Sequence, residues 1–333
     1  MTNSLELLEL ERLQKGKNLL AFSGGVDSTA LFFLLIEKNI SFDIAIVNYK
    51  LRPQSDEEVA YAKELATRYN KRIFIKEVPL SPPSIEEKAR KIRYRFFEEI
   101  IQKYGYENLL TAHQLNDQLE WFLMQLAKGA GVVEAIGLEP ASQREGYVVV
   151  RPLLHTSKEE ILRFLEKKDI LYYIDNSNYD TSFVRNFIRK NFSDPLMQKF
   201  APGIKRSMDY LLHDKKLLEP KIASIKKLFI AKNPHEKMQT QRAFLMMAKR
   251  AGYLPSTKQL AIMSEQKSGV IGGKIAFGQN ERNLFVAPFM KQSIPKKMRE
   301  AMRRKKIPPT IRGYIYSENL IDTLDRVLEK NLS

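Results

Sequence analysis

Six consecutive residues, Ser23-Gly24-Gly25-Val26-Asp27-Ser28, carry the most legible chemistry in this 333-residue chain. Adjacent glycines let a backbone turn tightly and approach a ligand closely. The apolar segment Leu19–Phe22 precedes them and an apolar run from Asp27 to Lys38 follows, which reads as strand, turn and helix. A helix that starts there aims free N–H groups into the turn, an arrangement suited to phosphate oxygens. Ser23, Ser28 and Thr29 add hydroxyl donors. Asp27 alone would repel phosphate. It makes sense as a ligand of Mg2+, which one or two carboxylates commonly share with phosphate oxygens. The loop lacks the Gly-Lys-Ser/Thr ending of a Walker sequence and the third glycine of a dinucleotide fingerprint. A second set lies in His113-Gln114-Leu115-Asn116-Asp117-Gln118-Leu119-Glu120. Asp117 and Glu120, three apart, share a helix face. His113 sits just before that helix, where an imidazole can orient a group or move a proton. Acids in a first turn also suit the helix dipole, so Asp117 has a purely structural reading as well.

These residues need a scaffold, and the first 130 positions supply an alternation of strands and helices. Strands are expected at Leu19–Phe22, Asp43–Asn48, Arg72–Val78 and Asn108–Ala112. Helices are expected at Asp27–Lys38, Asp56–Tyr69, Ser84–Tyr104 and Leu115–Lys128. Such alternation predicts a doubly wound parallel sheet of the α/β class, with ligands at the carboxyl ends of the strands. The phosphate loop and His113 both fall at such ends. Tyr147–Val150 reads as a further strand, and Ser157–Lys168 as a helix capped by Ser157 with Glu160 three residues on. Leu196–Lys232 reads as a basic, mostly helical stretch and His235–Glu265 as one or two helices. Gly269–Pro288 reads as a hairpin turning at Gly278-Gln279-Asn280. The expected organisation is a domain over 1–195, a basic linking helix over 196–234, and a small basic α+β domain over 235–333.

Composition excludes several functions. With no cysteine the chain forms no disulfide, thiolate zinc site or iron–sulfur cluster, which fits a reducing cytoplasm. No apolar run reaches a membrane span and no signal-type segment opens the chain. The net charge of +16 is uneven. Residues 1–195 hold 27 Lys+Arg against 28 Asp+Glu, whereas residues 196–333 hold 28 against 11. A basic half of that kind suits a polyanionic partner. Its densest run is Lys296-Lys297-Met298-Arg299-Glu300-Ala301-Met302-Arg303-Arg304-Lys305-Lys306, which would engage phosphates without reading sequence. A solvated helix face is the plainer alternative.

The Ser-Gly-Gly-x-Asp-Ser loop resembles that of the ATP-pyrophosphatase (PP-loop) family, whose members split ATP between the α and β phosphates and adenylate a substrate. Further motifs narrow the resemblance to the tRNA(Ile)-lysidine synthetase family. They are His113-x-x-x-Asp117-Gln118-x-Glu120 with Lys128-Gly129-Ala130-Gly131; Glu86-x-x-Ala89-Arg90-x-x-Arg93-Tyr94 within the helix from Ser84; Arg151-Pro152-Leu153-Leu154; and Asp175–Asp180 followed by Val184-Arg185-Asn186-Phe187-Ile188-Arg189. In order, they cover most of residues 17–190. The chain departs from the family pattern at Trp121, often Thr, at Lys128, usually Arg, and at Ile46–Arg52, where members often carry histidines.

The resemblance implies an enzyme that adenylates C2 of the wobble cytidine of an isoleucine tRNA with a CAU anticodon. Free lysine then displaces AMP. It implies ATP bound by Ser23, Gly24, Gly25, Val26, Asp27 and Ser28, and Mg2+ on Asp27. It implies lysine held by Asp117 and Glu120, and catalysis by Asp27, His113, Arg93 and Arg185. The tRNA would lie on Lys296, Lys297, Arg299, Arg303, Arg304, Lys305 and Lys306. Members are often dimers, so a homodimer is a candidate assembly. Two other readings stay open: another adenylating enzyme of the same fold, such as a tRNA thiolase or an amide-forming synthetase, or a tRNA-binding protein with a vestigial nucleotide site.

Overall fold

Six strands build the sheet that positions the phosphate loop: β1 (Asn18–Ala21), β2 (Phe42–Asn48), β3 (Ile73–Glu77), β4 (Asn108–Leu110), β5 (Ala141–Arg144) and β6 (Tyr147–Val150). Their order is β3-β2-β1-β4-β6-β5, parallel throughout except for β5, which pairs antiparallel with β6. The computed structural model describes residues 5–51, 54–80, 85–174, 183–321 and 323–324. The chain divides into two compact units, Met1–Lys215 and Lys216–Ser333.

Strands buried on both faces explain the continuous apolar runs. Leu20, Ile44, Leu110 and Val150 face one way, onto α2 (Val26–Glu37), α3 (Gln54–Arg68) and α7 (Lys158–Lys167). Leu19, Ala45, Leu109 and Val149 face the other way, onto Phe97, Ile100 and Ile101 of α4 (Ile85–Tyr104). The strand order reverses between β1 and β4, so the crevice at their carboxyl ends is the ligand position of such sheets. The loop before α2 and the start of α5 (Leu115–Leu126) open there. After α7, the run α8 (Val184–Ile188), a π turn (Arg189–Ser193) and α9 (Asp194–Leu218) follows. Met197, Met208 and Leu212 of α9 pack on Leu115 and Leu119 of α5.

The helical reading of Leu196–Lys232 requires correction. Helix ends at Leu218, and β7 (Ile222–Ile225) and β8 (Leu228–Lys232) follow. Pro220 cannot continue a helix, and Lys226, at φ 52, turns one strand into the next. These strands open a second, antiparallel sheet of order β7-β8-β11-β10-β9, completed by β9 (Ser268–Ile271), β10 (Ile275–Gln279) and β11 (Asn283–Pro288). The expected hairpin is β10–β11, with β9 paired on its far side. The helices α10 (Lys237–Arg250) and α11 (Thr257–Glu265) cover one face. The other face takes α12 (Lys296–Arg304) and α13 (Arg312–Ser317).

Candidate active site

The phosphate loop is held in shape by its own atoms. The Ser28 hydroxyl oxygen accepts from the Ser23 N–H at 3.2 Å, lies 3.0 Å from Ser23 Oγ, and donates to the Gly25 carbonyl at 3.2 Å. Gly24 has φ 74, and a Cβ there would stand 3.3 Å from Glu58 Cβ, so both handedness and space call for glycine. The Tyr173 N–H donates to the Gly24 carbonyl at 3.0 Å and pins the loop from the far side. Gly25 is the N-cap of α2, and no side chain caps that helix. The N–H groups of its first turn therefore point into the crevice without a side-chain acceptor, as an anion site requires.

The α5 start is built differently. The Gln114 side chain accepts from Asn116 N–H at 2.6 Å, and Asp117 Oδ2 accepts from Gln114 N–H at 3.0 Å. That capping box fixes Asp117 as a structural acid on one oxygen. Its other oxygen takes Arg185 Nη2. Glu120, 1% exposed, receives Arg185 Nε at 2.8 Å on one oxygen and Arg189 Nε at 2.6 Å on the other. Arg189 Nη2 adds a bond of 3.1 Å. The acid pair expected to hold lysine here receives two guanidinium groups of the same chain. Burial works against the charge of Arg185, yet Asp117 and Glu120 outweigh it and raise its pKa.

Asp27 joins this cluster. Lys158 Nζ donates to Asp27 Oδ1 at 2.8 Å. Burial raises the Asp27 pKa; Lys158 and Arg189 oppose the rise and the nearby Asp117 adds to it. The loop and the second constellation therefore share one electrostatic field. His113 is set by Thr111, whose Oγ1 lies 2.9 Å from Nδ1. Burial drives its pKa down to about 4, with Arg151, Arg185 and Arg90 adding to the fall and Asp117 opposing it, so the imidazole is neutral near pH 7.

Arg93 stands apart from these contacts, on an exposed turn of α4 where its charge acts on Tyr49. Arg90, one turn earlier, is the α4 arginine whose charge reaches His113. Asp175–Asp180, Ser84 and Arg52 lie outside the described residues. Trp121 lies over Gly137, where a Cβ would fall 2.3 Å from the indole. Of the basic run, Lys296, Lys297, Arg299, Arg303 and Arg304 are exposed on α12, which docks by Met302; Lys306 pairs with Glu281 at 2.7 Å. Arg312, whose pKa is lowered by burial and by Arg303 and Arg299, extends that positive field.

Lys158, Arg189 and Arg90 were not assigned roles from sequence. Lys158 left a signal: it occupies the first turn of α7, where the helix dipole disfavours a cation. Arg189 follows Arg185 at helical spacing, which places both on one side.

The crevice position, the parallel sheet and the uncapped glycine loop define the PP-loop class, and the PP-loop domain profile matches residues 2–196. A U34-tRNA thiolase from Methanococcus maripaludis shares the fold, with a TM-score of 0.53 at 18% identity over 62% of this chain and 74% of that one. Closer in sequence is a tRNA(Ile)-lysidine synthase of Campylobacter jejuni (strain RM1221), 44% identical over 95% of this chain and 96% of the relative. That of Wolinella succinogenes is 43% identical over 97% and 100%, and that of Helicobacter pylori (strain ATCC 700392 / 26695) 39% over 93% of each. The chain belongs to the tRNA(Ile)-lysidine synthase family, ATP-dependent ligases built on a PP-loop domain.

Proposed function

We propose that this chain converts the wobble cytidine of a CAU-anticodon isoleucine tRNA to lysidine, with ATP and free lysine as co-substrates. The supporting observation is the single cluster that joins Asp27, Lys158, Asp117, Glu120, Arg185 and Arg189 beside an uncapped phosphate loop. In the first step the cytidine C2 oxygen attacks the α-phosphorus and pyrophosphate leaves. In the second, a lysine amine attacks C2, the C2–O bond breaks, and AMP leaves.

The loop N–H groups and the hydroxyls of Ser23 and Ser28 would take the ATP phosphates. A Mg2+ ion would neutralise phosphate charge. Among the described residues no group of three or more acids or histidines gathers to hold a metal alone. Asp27 as one carboxylate beside phosphate oxygens is the donor set that such an ion uses. Lys158, paired to Asp27, is placed to follow the phosphates once a cation takes its partner.

The attacking nitrogen must be unprotonated, so Asp117 and Glu120 would grip the other, charged amine of lysine. That grip exchanges a substrate ammonium for Arg185, which is then released toward developing phosphate charge. Neutral His113, with Nδ1 engaged by Thr111, has Nε2 to accept the proton shed by the attacking amine. The exposed cations of α12 would hold tRNA phosphates. Neutralising Arg303, Arg304, Lys305 and Lys306 should flatten the salt dependence of tRNA binding by about one unit of log–log slope per lost phosphate contact. An unchanged slope would reduce α12 to a solvated face. No helix among the described residues is long and apolar enough to cross a membrane, in keeping with a cytoplasmic reaction. The deciding experiment is mass spectrometry of a CAU-anticodon isoleucine tRNA transcript incubated with protein, ATP and lysine. A lysidine-sized mass gain supports the reading, and its absence together with absent AMP release refutes it.

A further inference from the structure

The helical run that carries Arg185 and Arg189 to the acids carries an apolar stripe on its outer side. Phe187, Phe192, Leu196 and Phe200 are all exposed, at 47%, 46%, 37% and 57%. The five-residue step across the π turn brings the rings of Phe187 and Phe192 to 5.9 Å at 62°. Leu196 and Phe200 then follow at intervals of four, which continues the same face along α9. Exposed phenylalanines in such a row are costly to leave in water. Their surroundings are cationic. From Phe183 to Arg206 there are six Lys/Arg and one acid, Asp194, and Lys190 and Lys199 are exposed beside the stripe.

We propose that this stripe is a stacking platform for unpaired bases of a single-stranded RNA loop, with Lys190 and Lys199 on its phosphates. The inference rests on the tRNA reading above and names where the loop around the reacting base is held. Three features point to RNA. Aromatic faces beside cations are what binds splayed bases and their backbone. The charge is one-sided, so a two-fold contact with a second copy would set Lys190 and Lys199 against like charges. The stripe also lies on the same short helical run whose inner side reaches Glu120 and Asp117. A base stacked outside would hold its neighbour near the cluster inside.

The test uses the full chain and a stem-loop RNA bearing the CAU anticodon, with 5-iodouridine at the anticodon uridine for photocrosslinking. Cross-links in the wild-type protein are expected within residues 187–200. Phe187→Leu with Phe192→Leu keeps apolar bulk but removes both rings, and should weaken binding of the stem-loop by about tenfold or more. Phe187→Tyr with Phe192→Tyr should restore most of it. The urea midpoint of each variant checks that the fold is kept, and the cross-link needs no variant at all. Wild-type affinity in the leucine pair, or cross-links confined elsewhere, would overturn the platform. So would loss of a dimer on sedimentation with RNA affinity unchanged. If the wild type makes no lysidine but the leucine pair still loses RNA, the enzymatic reading fails and the platform stands.

Discussion

The helices α2 and α5 start from adjacent strands, β1 and β4, at the same edge of the same sheet, yet their first turns are finished in opposite ways. The α2 turn begins on Gly25 with no side-chain cap. The α5 turn closes a full capping box through Gln114 and Asp117, and then Asp117 and Glu120 are closed again by Arg185 and Arg189. One helix start leaves donors for a ligand's oxygens. The other has its donors satisfied and offers carboxylates to cations. A reaction that spends a polyphosphate to activate one substrate and takes a cationic amino acid as the other would draw on both. The lesson is that a helix N-terminus is an anion site only when the chain declines to cap it.

The largest effect is expected from removing the charge between the two starts. Asp27→Asn keeps the shape but withdraws the carboxylate paired with Lys158 at 2.8 Å. AMP release should fall by orders of magnitude while stem-loop RNA affinity changes little. Full activity at saturating Mg2+ would show that the open helix start alone suffices for the phosphates, and the cation role of Asp27 would be lost.

Breaking the closed helix start comes next. Glu120→Ala leaves two guanidinium groups without their shared, buried partner. Because Arg185 and Arg189 remain partly solvated, the loss should be about 2–3 kcal/mol, at the low end for a broken buried pair. A urea titration measures it. In parallel the KM for lysine should rise far more than that for ATP. If both Michaelis constants rise together, the acids serve only to anchor the arginines.

Much of this was open to sequence, and the reasons are local. The strand-turn-helix order around Gly24 and Gly25, and the Ser157 and Glu160 cap of α7, depend on neighbours within a few positions. The Glu120 pairings depend on residues 65 and 69 positions away, so no periodicity could announce them. Strand β5 was missed because Ala141-Ser142-Gln143-Arg144 has no apolar alternation. It is a strand because Gly146, at φ 81, folds it back on β6. The Arg93 assignment rests on motif matching alone, and its side chain is exposed on α4 with its charge acting on Tyr49.

A third test concerns the imidazole just before the α5 start. His113 has a native pKa near 4, below its ordinary 6.5. The native imidazole stays neutral while the unfolded one takes up a proton, so unfolding binds protons as the pH falls from 6.5 toward 4. The stability contribution is whole above pH 6.5 and is lost across that window, by up to about 3 kcal/mol. His113→Gln should flatten the urea midpoint against pH over this range. A slope equal to wild type would place the acid sensitivity elsewhere.

The smallest effect sharpens the comparison most, because it converts one helix start into the other. Gly25 has φ −76 and ψ 167, the extended geometry of an N-cap that any residue adopts. A Cβ there would meet Ser23 Oγ at 3.5 Å, an ordinary contact. Gly25→Ser should therefore be accommodated, and its hydroxyl can accept from the free N–H groups of the first turn. Serine exceeds glycine at an N-cap by only about a few tenths of a kcal/mol, so the urea midpoint should rise slightly. The same hydroxyl competes with the phosphates for those donors, so the KM for ATP should rise several-fold while that for lysine holds. An enzyme made marginally more stable and measurably poorer at binding ATP would tie the open helix start to its ligand. If the midpoint and the ATP constant both stay at wild type, the N–H groups are not the donors that hold the nucleotide.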